Sequence, residues 1–359
     1  MPPGENGTAK MPKKLTAAAA LAAEINSTLK LDSGVLLGSD PYFQIERIPT
    51  GSLVLDRITG GGFALGRHYE IFGTENSGKS HTVYRTMALS QERGNLCAIV
   101  DPEHSFDNER FEFLGGIPRD LLTFHPDNAE DAVAVMMLLA KHARDQALEV
   151  ITIDSVASLV PTEEMIRDPR DEDRLAAQAR MMSRALRRIT AVNKKTLFLW
   201  TNQERENVGV RFGNPRTTPG GRALRYYATG RLEFRRGAKI MGKREVVRNG
   251  KLVETEVATG RWTQVRVEKD KSTRPNREGS FVFDYDMKTI DPTWEIISLG
   301  LEDGLIERTG NTFTYTDLEE RNWSGPEKKF RGYLRDNSEL SEELVTVIQE
   351  ETTRQGIGE

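Results

Sequence analysis

The chain has 359 residues, of which 37% are hydrophobic and 29% charged, with a formal net charge of −4 and one cysteine. That length exceeds a single average domain, and the composition belongs to a globular protein with a real core, not to a disordered or fibrous one. One cysteine excludes an intramolecular disulfide framework, and the apolar run NLCAIV around Cys97 marks a buried small hydrophobe.

In chain order, residues 1–11 are polar and rich in Pro and Gly and are expected to be disordered. Residues 15–29 carry Ala and Leu without Gly or Pro and predict a helix. The piece KKLTAAAALAAE imitates a secretory signal, but it lacks a Leu/Val/Phe core and Glu24 follows at once, so it reads as an alanine-rich helix. No run approaches the ~20 apolar residues that span a bilayer, so no membrane partner is expected and the cytoplasm is the expected location. GVLLG at 34–38 reads as a short strand or an extended arm.

From residue 45 strands alternate with helices. HYEIF (68–72), CAIVD (97–101), EVITID (149–154) and TLFLWTN (196–202) predict strands, and 79–92, 129–143 and 175–192 predict helices. YYATGRLEF and TQVRVEK add strand material, and Asn-Gly within RNGK (248–251) predicts a hairpin turn. The alternation implies an α/β fold with a mainly parallel sheet. Past Tyr285, a helix ending at Gly304, a short hairpin and helices near 326–336 and 339–354 predict a small α+β C-terminal domain. The expected organisation is therefore 1–44 (tail, helix and oligomerisation arm), 45–286 (core) and 287–359 (C-terminal domain).

The strongest motif is GTENSGKS, comprising Gly73, Thr74, Glu75, Asn76, Ser77, Gly78, Lys79 and Ser80 in the pattern GxxxxGK[ST], between a predicted strand and a predicted helix. Its glycines let the backbone wrap a phosphate, and the helix N-terminus adds partial positive charge. Lys79 would reach the terminal phosphates, Ser80 would hold Mg²⁺, and His81 follows in the same turn. Asp154, closing EVITID, supplies the carboxylate that such a metal needs as a second ligand. ATP and Mg²⁺ are the expected ligands. Hydrolysis also needs a group to orient or deprotonate water; Glu103, just past CAIVD, suits that role, with Asp101 as its competitor. The five histidines have no metal-ligand spacing, and Ser155 has no matching base, so zinc and serine-hydrolase chemistry are set aside.

Charge is unevenly spread. Residues 205–251 hold thirteen Lys or Arg against three acidic residues, Glu206, Glu233 and Glu245. In a mildly acidic chain that block marks either a polyanion-facing surface or a solvated charged face.

The strings GTENSGKS, DPEHSFD (101–107), IDSVASLVP (153–161), ARMMS (179–183), NQ (202–203) and VGVRFGNPRTTPGGRALRYYA (208–228) together resemble the bacterial recombinase A (RecA) family and its phage relatives. The resemblance runs in the same order from about residue 50 to the C-terminus. It implies a RecA-like P-loop core with two DNA-binding loops, and a DNA-dependent ATPase of homologous recombination and repair. Such a protein forms helical homo-oligomeric filaments on single-stranded DNA and exchanges strands with duplex DNA. It further implies that Glu103 is the catalytic glutamate, Asp107 lies near the adenine, and Gln203 senses the γ-phosphate. Lys269 and Lys271 would reach across the subunit interface to a neighbour's ATP. The first DNA loop would span 163–173. The second would span 204–218, containing Arg205, Val208 and Phe212, with Gly220, Gly221 and Arg222 at its far end. Arg180, Ser183 and Arg187 match helix positions that meet phosphates; the other readings are surface arginines for Arg180 and Arg187, and a core residue for Phe212.

Several positions depart from the family pattern. Arg110 stands where an aromatic residue usually stacks on adenine, and Arg222 where asparagine is frequent. The first loop is unusually acidic, the stretch 238–260 is longer than usual, and an acidic C-terminal tail is nearly absent. The alternatives from other classes are a ring-forming helicase motor on the same core, although the long N-terminal domain of such motors is missing, and a regulatory DNA-binding paralogue of a recombinase.

Overall fold

The computed structural model describes residues 16–30, 34–40, 44–166, 174–206, 216–248, 251–274 and 276–357. It separates into two units, Met1–Glu46 and Arg47–Glu359.

In the first unit the expected helix forms over Ala17–Leu29. The Thr16 hydroxyl accepts the N–H of Ala19, and Lys30 closes the helix in the left-handed conformation. GVLLG is not a strand. Instead the Asn26 side chain brackets Val35, accepting its N–H at 2.5 Å and donating to its carbonyl at 3.0 Å, so a side chain takes the place of a ladder. Residues 1–11, read as disordered, lie outside the described residues.

The second unit is built on a sheet of nine strands among the described residues. In spatial order these are Thr289–Ile290, Glu278–Asp284, Lys251–Asp270, Gly230–Arg248, His68–Gly73, Leu197–Gln203, Leu148–Ile153, Leu96–Val100 and Leu121–Phe124. The last six in that order run parallel, and the first three join them antiparallel. The parallel strands are continuous apolar runs because helices cover both faces. On one side the helix Lys79–Glu92 buries Val83 and Met87 against Tyr69, Ile71 and Leu199. On the other, Ala129–Gln146 and Arg174–Val192 bury Met136, Met182 and Leu186 against Phe198 and Trp200. His68 belongs to this core. Burial pushes its imidazole down to about 4, so it stays neutral and accepts from the Trp200 indole N–H at 3.2 Å.

The long hairpin read from the sequence is present, with register from Gly230↔Asp270 to Arg248↔Lys251; its Asn249-Gly250 turn lies outside the described residues. Two expectations are corrected. Tyr226 and Tyr227 end a short helix, Arg222–Tyr227, because Gly220 and Gly221 first turn the chain through positive φ, and the strand begins only at Gly230. The C-terminal hairpin is a three-stranded sheet, Glu307–Thr309, Thr312–Thr316 and Asn322–Pro326.

The helices Pro292–Glu302, Glu327–Asp336 and Ser338–Ile357 share a core of Ile296, Phe330, Leu334, Leu344 and Ile348. Buried polar groups tie this region to the helix Leu53–Thr59. Arg57 makes a two-pronged pair with Asp303 at 2.7 and 2.6 Å and also donates to Thr352. Glu295 accepts from the Ser52 hydroxyl and from the Val54 N–H.

Candidate nucleotide and DNA site

The phosphate loop leaves the end of the His68–Gly73 strand and enters the helix Lys79–Glu92. Gly73 is required by packing as well as by its φ of +140°, since a Cβ there would lie 1.9 Å from the carbonyl oxygen of Phe234 on the neighbouring strand. Asn76 and Gly78 also adopt positive φ, which curls the loop. No side chain caps the helix that follows, so its first-turn N–H groups are left without a capping side chain and suit an anion. Lys79 Nζ donates to the carbonyls of Gly73 at 3.2 Å and Thr74 at 2.8 Å. Burial pushes its pKa down, opposed by the carboxylates of Asp154, Glu75 and Glu103. The His81 side chain is turned away into the core, edge-on to Phe283 with burial holding it neutral at about 3, so its contribution to the loop is its backbone N–H.

The carboxylates separate by environment. Asp154 is buried at the end of the Leu148–Ile153 strand, where Thr201 donates to it at 2.5 Å; burial raises its pKa against the pull of hydrogen bonds from Thr201 and Ser80. Ser80 and Asp154 are thus in contact as a pair of hard oxygen donors, the kind of set that suits Mg²⁺. Asp101 is fully buried and occupied by its own loop, accepting the N–H of Glu103 at 3.2 Å and of Phe106 at 2.9 Å. Glu103 is exposed, and its Oε1 accepts the hydroxyls of Ser155 at 2.5 Å and Ser158 at 2.9 Å. Of the two competitors for water activation, only Glu103 is free to face a substrate.

Gln203 is the register partner of Gly73, which puts its strand end beside the start of the phosphate loop. Just beyond, Arg205–Glu206 pairs antiparallel with Arg216–Thr217, so the proposed second loop rises from a two-stranded stem. Val208, Phe212 and the tip of that loop lie outside the described residues, as does 167–173 of the first loop; the part described, Thr162–Ile166, is a short helix. Gly220 and Gly221 follow the stem and press against the helix Arg174–Val192, where a Cβ on Gly221 would lie 2.6 Å from that of Ala179. On the outer face of this helix Arg180 and Arg187 are exposed, with Ser183 half-buried between them; Arg180 pairs with Glu163 at 3.6 Å. Arg222 is exposed at the head of its helix, and Lys269 and Lys271 both donate to the carbonyl of Tyr226 at the other end. Burial and the nearby charges of Lys271 and Arg231 push Lys269 down to about 8.

The family model described as the RecA N-terminal domain matches residues 16–288. Protein RecA of one strain of Thermus thermophilus is 40% identical over 318 residues, covering 88% of each chain. Protein RecA of Rickettsia bellii (strain RML369-C) is 36% identical over 344 residues, covering 95% of this chain and 94% of the relative. The chain belongs to the RecA family. Membership makes it an ATP-dependent homologous-recombination protein and a DNA-dependent ATPase.

Within this RecA-family site, several residues escaped the sequence reading. A cavity of about 400 Å³ beside the phosphate loop is lined by Asn76, Gly78, Arg110, Arg236, Arg261 and Tyr285. Asp107 is not among its lining residues; it caps the helix Asn108–Phe113, its carboxylate accepting the N–H of Arg110. Arg236 was visible only as a member of the basic block and Tyr285 only as the point where the pattern changes, while Arg261, beyond that block, carried no signal. Asn202 donates to Glu70 at 2.9 Å and to the carbonyl of Pro219 at 3.0 Å, fixing the exit of the second loop. Ser155, Ser158 and Thr201, which hold the carboxylates, carry no signal beyond being small polar residues in or just past strands. No helix among the described residues is long and apolar enough to cross a membrane.

Proposed function

We propose that this protein couples ATP hydrolysis to assembly on single-stranded DNA and exchanges strands with a homologous duplex as a helical filament. In this reading the backbone N–H groups of residues 74–80 cradle the phosphates, and Lys79 leaves the carbonyls of Gly73 and Thr74 for the β- and γ-phosphates. Ser80 and Asp154 would hold Mg²⁺, whose chemistry when bound would be charge neutralisation at the phosphates. Glu103, steadied by Ser155 and Ser158, orients the attacking water and accepts its proton. Arg110 covers the base in place of an aromatic ring, using its planar guanidinium. Lys269 and Lys271 leave the helix end at Tyr226 to meet a neighbouring subunit's nucleotide, so that assembly completes the site. Arg180, Ser183, Arg187, Arg205 and Arg222 contact phosphates, and the glycine pair allows close backbone approach.

The observation that carries this reading is the register of Gln203 beside Gly73, two residues before the stem of the basic second loop. One residue borders both the γ-phosphate position and the DNA-facing segment, which suits a reporter between them. The test is steady-state ATP hydrolysis with and without single-stranded DNA across a salt series. Strong stimulation that fades as salt rises is expected, because each neutralised phosphate releases counterions. Hydrolysis indifferent to DNA, or undiminished in Lys79→Ala, would overturn the reading.

A further inference from the structure

Gln178 was given no role above, yet it is a nearly buried polar side chain, 8% exposed, with both of its N–H donors and its carbonyl oxygen engaged. Its Nε2 donates to the carbonyls of Val156 at 3.1 Å and Leu159 at 3.0 Å, and its Oε1 accepts the N–H of Gly220 at 3.2 Å. These partners fix the amide's orientation, since a flip would set NH₂ against N–H and oxygen against two carbonyls.

The segments joined are functionally distinct. Val156–Ser158 is a tight turn directly after Asp154, and the flanking Ser155 and its own Ser158 are the two donors that hold Glu103. Gly220 is the far end of the second loop, and a Cβ on it would lie 3.0 Å from Val156 Cγ1, so loop end and turn are in direct contact. Gln178 itself rides on the helix whose opposite face exposes Arg180 and Arg187. Any shift of the loop end or of this helix therefore moves or breaks bonds to the turn that seats Glu103.

We propose that Gln178 is a positioning residue that ties the seat of Glu103 to both DNA-facing elements, so that DNA binding adjusts the water-activating carboxylate. This link is separate from Gln203, which borders the phosphate side of the site, and it rests on the functional reading given above. A buried amide left without partners is unfavourable, so the three contacts hold or shift together.

The experiment compares the full-length wild type with Gln178→Met, which keeps the volume and removes all three hydrogen bonds, and with Gln178→Glu. The glutamate keeps the acceptor for Gly220 and removes the donor to Val156 and Leu159. The readout is the ratio of DNA-stimulated to basal ATP turnover, together with the single-stranded DNA concentration giving half-maximal effect. The ratio should fall about ten-fold in Gln178→Met while the half-maximal DNA concentration stays within about three-fold. A merely structural role would lower basal and stimulated turnover alike and leave the ratio intact. A folded variant of either kind that keeps the wild-type ratio overturns the inference. A wild type not stimulated by DNA would instead remove the functional reading, and this inference with it.

Discussion

At the scale of single residues, chemistry is assigned by what each side chain is already bonded to. Asp101 and Glu103 differ by two positions, but Asp101 spends its oxygens on loop N–H groups whereas Glu103 is held outward by two hydroxyls. Glu103→Gln keeps the shape and removes the base, so turnover should drop by roughly 10²–10³-fold. Nucleotide affinity should change little, as read by titration with a fluorescent nucleotide. Loss of binding along with turnover would place Glu103 in the cradle instead. Gly73 is constrained more severely. Gly73→Ala forces a methyl group onto the Phe234 carbonyl at a left-handed φ, and should destabilise by on the order of 3 kcal/mol in urea unfolding. A change below about 1 kcal/mol would show that the two strands separate easily there.

At the scale of elements, the C-terminal helices depend on one buried carboxylate. Asp291 caps the helix Pro292–Glu302 through the N–H and hydroxyl of Thr293, and receives Arg331 together with Arg335 at 2.8 Å. Burial alone would raise its pKa. The hydrogen bond from Thr293 and the charge of Arg331 more than offset this, holding it below its ordinary value. Its contribution is therefore present above the unfolded-chain pKa and is lost as the pH falls through the lower folded value. Asp291→Ala strands two arginines beside a capless helix and should remove about 3–5 kcal/mol of stability. Urea unfolding followed by circular dichroism checks this, and a loss under about 1 kcal/mol would mean that the arginines find water instead.

At the scale of the whole molecule, the acids Glu295 and Asp56 are buried near each other where the C-terminal region meets the core. Burial raises Glu295 to about 7 and Asp56 to about 6, although hydrogen bonds from Ser52 and Val54 to the first and from Thr50 to the second oppose it. Both hold protons in the folded chain at pH values where the unfolded chain has released them. Their stabilising contribution is greatest below the ordinary carboxylate range and is lost as pH rises through about 6 and then about 7. Stability measured by urea unfolding should decline between about pH 5 and 7.5, and Glu295→Gln should flatten the upper part of that decline. An unchanged slope in the variant would show that water reaches the site.

The sequence by itself determined the phosphate loop, the parallel strands and the family, because each rests on local information. GTENSGKS needs only a strand before it and a helix after it, and EVITID or TLFLWTN declares two-sided burial by composition. It also placed Lys79 and Ser80 at the head of a helix, and Asp154 and Glu103 at or just past strand ends, on the side where a parallel sheet gathers its functional groups. Only the tertiary structure decided which polar residues serve those groups. Gln178 lies within a predicted helix and Ser158 in an unremarkable turn; neither spacing nor residue type announces that one amide joins residues 22, 19 and 42 positions away in the chain. Local propensity carries no record of such partners, since a hydrogen bond across the sheet depends on where the fold brings two segments together.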